Sequence, residues 1–376
     1  MEISLMNQGM YFIQRMLSPR VLVALSIVVM VFMGYARADA FSKGSHLDRS
    51  KLPLGCSSCH KGHGESGTMM LQAKKGDLCF GCHGPVKGKR KGQVGPDIYS
   101  ELSKQSRHPV IETSHYHVNG EELPERSSAV PRHVACFDCH NVHRSTKENK
   151  VSGVRGYTGK GHKTRASDQS KEYEVCYLCH SDSANAPPES SDISEEFNIR
   201  NPSFHPLETV GKNKNVPSLL RDYNTSSRIT CSDCHGSDTS FGPQGPHGSN
   251  YPPILKYRYE MRFEAESPLT YELCYSCHDR TSILNDESFK SHKSHVVYSD
   301  SPCSACHDSH GSALYTHLIH FDDQYVFPNA NGELAYITMM PGRPKCLLSC
   351  HVKGISFDHT VDSGSYCING NCLPAW

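Results

Sequence analysis

One tryptophan in 376 residues and an aromatic content of 9% leave little with which to build a large side-chain core. Apolar residues reach 37%, but about 25 of them fall within the first 38 residues, and another 18 are cysteines. The remainder is well short of an ordinary globular composition. With 29 Gly and 22 Pro as well, side chains alone cannot close a self-sufficient interior. Either the chain is disordered or something else fills its middle. A charge excess is also missing: 39 basic residues balance 39 acidic ones, which excludes the basic footprint of a nucleic-acid binder. No apolar run beyond residues 21–35 is long enough to approach a bilayer span, and no helical period is sustained over any length.

That single run has the look of an address. Arg15 and Arg20 precede VLVALSIVVMVFMGY, and Ala36-Arg37-Ala38 follows it. A basic stretch, an apolar stretch and a small-x-small site predict a Sec-type signal peptide over residues 1–38, with Asp39 the first mature residue. The expected location is the periplasm, or the secreted or outer-membrane-associated space.

What the sequence does have is cysteine and histidine in fixed order. Seven C-x-x-C-H strings occur: Cys56–Cys59–His60, Cys79–Cys82–His83, Cys136–Cys139–His140, Cys176–Cys179–His180, Cys231–Cys234–His235, Cys274–Cys277–His278 and Cys303–Cys306–His307. An eighth, Cys346–Cys350–His351, has one extra residue between its cysteines. Cysteines three apart share a helical face and reach the two vinyl groups of one porphyrin, and the next histidine is held against the iron. Zinc sites would use two such elements per metal and would not require a histidine after every pair. The expectation is eight haem c groups, or seven if the Cys346/Cys350 site is empty. Cys367 and Cys372 are left over, and an intrachain disulfide is their simplest use in an oxidising compartment, with intermolecular linkage or a remnant haem site as the alternatives.

Histidine is in surplus, with 24 in all and 16 outside the motifs. The only thioether competitors beyond the signal are Met69, Met70, Met261, Met339 and Met340. Bis-histidine iron of low potential is the economical expectation. His63, His143 and His310 stand three residues after a proximal histidine, on the same face as it, so they cannot reach the far side of the same iron. They are expected to serve a neighbouring haem, as is His247, displaced in its unit but still followed by Gly-Ser as His310 is. His46, His108, His205 and His295 are assigned to the first haem of each unit, with His133 competing with His108 and His292 with His295.

The motifs fall into four doubled units, with 18, 35, 38 and 38 residues inside a pair. The boundaries expected are 39–104, 105–190, 191–285 and 286–376, the last including a C-terminal tail. The segment 181–196 reads as a Ser/Pro-rich acidic connector, residues 85–96 as a basic loop, and 251–263 as a strand or helix. This arrangement resembles the doubled-C-x-x-C-H multihaem c-type cytochromes over most of residues 46–351. The resemblance implies a mostly irregular fold with short α-helices around each motif, little or no β-sheet and a haem-filled core. It also implies an exported electron carrier of anaerobic or extracellular respiration with its haems in contact.

Three uses of such a chain stay open. The first is electron transfer without chemistry, between donor and acceptor cytochromes or a quinol-side dehydrogenase. The second is an octahaem oxidoreductase acting on nitrogen or sulfur oxyanions at an iron with one open position, for which the eighth site is the candidate. No C-x-x-C-K motif is present to mark such an iron. The third is a subunit of a filament or of an outer-membrane porin conduit, with a spare histidine such as His359 bridging copies.

Overall fold

The computed structural model of the chain describes residues 44, 46–62, 70–73, 75–85, 95–111, 134–154, 156–157, 171–181, 191–340, 343–352, 355–358, 366–368 and 371–373. The expected signal peptide, His63, His133, His359, and most of both the basic loop and the acidic connector lie outside them.

Helices are short, and five of these eight sit on the motifs: α1 Lys75–His83, α2 Ile98–Glu101, α3 Cys136–Cys139, α4 Glu172–Cys176, α5 Ile193–Glu196, α6 Cys231–Cys234, α7 Glu272–Tyr275 and α8 Arg280–Leu284. Gly55–Ser58 and Cys303–Ala305 form 3₁₀ turns. The motif itself makes the turn. The histidine N–H donates to the first cysteine's carbonyl in His60, His140, His180, His235, His278 and His307, at 2.8–3.0 Å. Two motifs carry their own cap. Asp138 accepts from the Ala135 N–H at 2.6 Å, and Asp233 accepts from the Thr230 N–H at 2.7 Å. The helices α2, α5 and α8 lie between motifs and start from Asp97, Asp192 and Asp279, whose carboxylates accept backbone N–H bonds from the first turn.

Tiny antiparallel pairings tie one unit to the next. Strand β1 (Ser106–Arg107) pairs with β3 (Gly248–Ser249), and β2 (Ser203–Phe204) pairs with β4 (Gly311–Ser312). Both glycines are demanded by space. A Cβ on Gly248 would lie 2.0 Å from the Glu101 carbonyl oxygen, and one on Gly311 2.0 Å from that of Glu196. A second repeat follows the first motif of units one, three and four. The chain folds back so that the N–H groups of Lys61, Gly236 and Asp308 donate to the carbonyls of Met70, Ile254 and Leu318. Those three acceptors all have positive φ, between 58° and 64°.

Only one cluster of buried apolar side chains stands out among the described residues: Tyr173, Tyr177, Phe197 and Leu207, between units two and three. Segment 251–263, expected as a strand or helix, is a series of turns in which Tyr251 bridges Leu255. The tail departs further from expectation. Strands β5 (Val326–Phe327), β6 (Ala335–Met340), β7 (Arg343–Leu347), β8 (Ser349–Val352) and β9 (Ile355–Asp358) form sheets, followed by the hairpin β10 (Tyr366–Ile368) and β11 (Asn371–Leu373). Cys346 and Cys350 therefore sit on extended chain, Cys346 opposite Tyr336 and Cys350 opposite Val326 and Phe357. The inserted residue breaks the i, i+3 spacing that closes a helical turn in the other seven motifs.

Candidate haem-binding centres

Seven of the proximal histidines each face one other histidine ring. The pairs are His60–His143 at 6.1 Å between ring centroids, His83–His46 at 6.0 Å, His140–His247 at 6.1 Å and His180–His108 at 6.4 Å. The others are His235–His310 and His278–His205, both at 6.3 Å, and His307–His292 at 6.4 Å. Two imidazoles on opposite sides of one metal, each bonded at about 2 Å, place their ring centroids about 6 Å apart. Direct ring stacking has no reason to hold seven pairs within that narrow range, since their interplanar angles run from 11° to 61°. The donor sets fit haem c: two cysteines on one turn, a histidine beside them and a second histidine one iron's width away.

The second nitrogen is fixed as well. Nδ1 of His83 lies 3.2 Å from the Pro96 carbonyl, that of His108 2.6 Å from Pro246, and that of His140 3.2 Å from Lys150. For His235 the partner is Pro253 at 3.0 Å, for His307 it is His317 at 2.9 Å, and for His205 it is Ser309. An Nδ1–H donated to a backbone carbonyl selects the tautomer whose Nε2 is free to ligate. Burial also keeps the rings neutral, pushing His247, His278 and His307 down to about 4.

The pairing differs from expectation in a regular way. His46, His108 and His205 face the second proximal histidine of their unit, not the first. The histidines following the first motif reach backwards by one unit: His143 to His60, His247 to His140, His310 to His235. In unit four the ring facing His307 is His292, while His295 stacks on Phe289 at 6.3 Å. The β1–β3 and β2–β4 pairings explain the crossing. They hold His108 beside His247 and His205 beside His310, with the first N–H of each pair donating to the second carbonyl at 3.3 and 2.9 Å. The His351 side chain lies outside the described residues.

The cysteines place the centres in a row. Helix α1 packs on α3 and α4 packs on α6. The first cysteines are neighbours across three junctions, where each thiol perturbs the other: Cys79 and Cys136, Cys176 and Cys231, and Cys274 and Cys303. The second cysteines are neighbours across the alternate junctions. Burial, and after it the nearby Cys82, pushes Cys59 up; Cys139, beside Cys179, and Cys234, beside Cys277, are pushed by burial up to about 12. Burial likewise takes Cys306 to about 12, with Cys346 and Cys350 adding to it. Each attachment site thus neighbours the next in sequence, first to eighth.

One ligand stands apart. Nδ1 of His310 donates to the Glu196 carboxylate at 2.7 Å, with Asp308 at 3.8 Å. Burial alone would lower His310, but the bond to Glu196 and the two negative charges raise it instead. These three side chains could also enclose a cation. The 6.3 Å approach of the same ring to His235 assigns it to the haem centre.

The part-buried carboxylate Glu196 is a role that spacing arguments missed, and His292, named in the sequence only as the rival of His295, is the ring that faces His307. The Gly-Ser shared after His247 and His310 was the available signal for the cross-unit pairing.

Comparison with curated proteins and with solved structures found no match to the chain. The family model for the doubled CXXCH motif matches residues 53–88, 130–185 and 222–283, which contain the first six motifs. These three segments carry the doubled CXXCH motif that marks multihaem c-type cytochromes, and in them the chain is similar to that family.

Proposed function

We propose that the chain is an exported octahaem electron carrier, with its haems held in sequence order as a single row and partner proteins meeting it at the two ends. Seven histidine pairs at 6.0–6.4 Å carry this reading. Haem c, when bound, supplies one-electron chemistry and needs no open iron position for it. The residues do the rest. The paired cysteines anchor each group covalently where the apolar interior is too thin to retain it. The two histidines of each pair would hold the iron between them, and the carbonyl-bound Nδ1 atoms stop those rings from turning. The first-cysteine contacts (Cys79–Cys136, Cys176–Cys231, Cys274–Cys303) bring successive sites into van der Waals reach. Two propionates against one ferric charge make each bound group about −1, so the loaded protein is acidic and suits basic docking partners.

Haem c attachment is, as a rule, extracytoplasmic chemistry, in keeping with the sequence of residues 1–38. Among the described residues no helix is long and apolar enough to cross a membrane. The eighth site supports a second reading, since its cysteines sit on strands: an oxidoreductase with an open iron there. Carbon monoxide added to the fully reduced protein separates the two. A carrier with every iron six-coordinate gives no rapid change in the Soret band. Stoichiometric binding to one haem, lost in a Cys346→Ala/Cys350→Ala variant, would replace the carrier with the enzyme.

A further inference from the structure

Units two and three enter their first centres through the same local structure, repeated. Asp97 caps α2, which ends at Glu101 and leads through Ser106-Arg107 to His108-Pro109. Asp192 caps α5, which ends at Glu196 and leads through Ser203-Phe204 to His205-Pro206. The carbonyl of each glutamate lies under the glycine that follows the cross-unit ligand, Gly248 after His247 and Gly311 after His310. Glu101 and Glu196 are therefore equivalent positions, one beside each ligand.

Their side chains do different things. The Glu101 carboxylate is taken by Lys104 at 2.6 Å, which also binds Asp238 at 2.5 Å. His247 Nδ1 is buried with no hydrogen-bond partner among the described residues. Position 196 has no such lysine beside it: Asn198 and Ile199 follow at the places of Ser103 and Lys104. Its carboxylate turns onto His310 Nδ1 at 2.7 Å. Phe197 packs on the same ring at 5.2 Å. A histidine whose far N–H is given to a carboxylate is the more basic ligand, and the nearby charge favours the more positive iron. Both effects stabilise the ferric over the ferrous state, and a ligand lacking any Nδ1 acceptor has neither.

We propose that Glu196 is a potential-setting residue: it makes the haem held by Cys231, Cys234, His235 and His310 more reducing than its counterpart held by Cys136, Cys139, His140 and His247. The inference rests on the haem reading above. The chain would then carry a step in potential at its centre, between equivalent sites of adjacent units, created by the exchange of one lysine for an uncharged residue. The couple is the one-electron Fe(III)/Fe(II) pair, with the electron taken from or given to the neighbouring haem.

The test is a potentiometric titration of the holoprotein, followed by absorbance, for wild type, Glu196→Gln and Glu101→Gln. The near-infrared magnetic circular dichroism of each oxidised sample is recorded alongside. Losing an outer-shell partner typically changes a metal centre's preference by about tenfold to a hundredfold, and each tenfold step is about 59 mV for one electron. Glu196→Gln should move one component potential upward by one such step or more and shift one haem's ligand-to-iron charge-transfer band. Glu101→Gln should superimpose on wild type. A Glu196→Gln curve that superimposes on wild type, with full haem content and only low-spin iron, overturns the proposal. Should Glu196→Gln fail to assemble, Glu196→Asp keeps the charge at a longer reach. It must then give a smaller shift of the same sign, and no shift would again overturn the proposal. A wild-type protein without covalent haem would instead sink the reading on which the inference rests.

Discussion

Replacing Gly311 with alanine should disable two haem centres at once, although the residue ligates neither. The added Cβ would lie 2.0 Å from the Glu196 carbonyl oxygen, 3.0 Å from its carbon and 3.1 Å from the Ser203 oxygen. Real Cβ atoms do not approach within 3.0 Å of such neighbours, so β4 and the end of α5 must part by about 1 Å. The obstacle is backbone on both sides, and no flexible side chain can give way. That gap opens the Ser203–Ser312 and Phe204–Gly311 pairing, through which the His205 N–H donates to the His310 carbonyl at 2.9 Å. It also separates Glu196 from His310. A metal–imidazole bond of about 2 Å does not survive a 1 Å displacement of its ligand. Two irons, those of His235 and His278, should lose their distal histidines, and overpacking should cost about 1–3 kcal/mol of stability. The readout is quantitative EPR of the oxidised variant, in which about two haems per chain become high-spin, with a lowered thermal midpoint. Gly248→Ala should do the same to the centres of His140 and His180. A Gly311→Ala protein with only low-spin iron and an unchanged midpoint would refute the claim that this pairing positions both ligands.

Further outcomes follow from the same geometry. His310→Ala should create one high-spin haem in the wild-type background and none in a Cys231→Ala/Cys234→Ala background, because the iron it opens belongs to the preceding unit. Lys104→Met would leave the Glu101 and Asp238 carboxylates, 8% and 9% exposed, without their shared cation. Chemical denaturation should show a loss of about 3–5 kcal/mol. The wild-type contribution should also depend on pH. Burial raises Asp238, but the bonds from Lys104 and Asn250 outweigh this and hold it below the ordinary aspartate value. Its share of stability is therefore present above that ordinary value and is lost as acid carries the pH down through the lowered one. The Lys104→Met protein should show a flatter acid limb. In the tail, Cys367 and Cys372 are directly opposed in the β10–β11 register. A disulfide there predicts no alkylatable thiol in the fully loaded protein, and peptide mass spectrometry after digestion without reductant should find the two cysteines joined.

Local chemistry was readable from the sequence, and long-range partnership was not. The C-x-x-C-H turn is written in its own spacing, and in C-F-D-C and C-S-D-C even the capping carboxylate is visible as Asp138 and Asp233. That His143 and His310 should serve another iron was an expectation of helical geometry alone, and His247 joined them only through the Gly-Ser it shares with His310. Which iron they serve did not follow, because His310 meets His235 across 74 intervening residues and the choice is made by β2 and β4. These strands are two residues long, too short to leave any period-two signal. The same limit misplaced His46, His108 and His205 onto the first centre of their units and favoured His295 over His292. The eighth site had no sequence cue beyond one inserted residue, and its strands are set by a tail with no counterpart in the other units. Glu196 read as part of an acidic connector. Only its placement against His310 shows what the carboxylate is for.

The most direct test is an EPR spectrum of the purified, fully oxidised protein, with covalent haem counted by intact mass on the same sample. Bis-histidine ligation throughout predicts eight haems and only low-spin ferric signals. A high-spin component worth one haem or more, shifted by nitrite or hydroxylamine, would contradict a pure electron carrier and point to an active site on the chain.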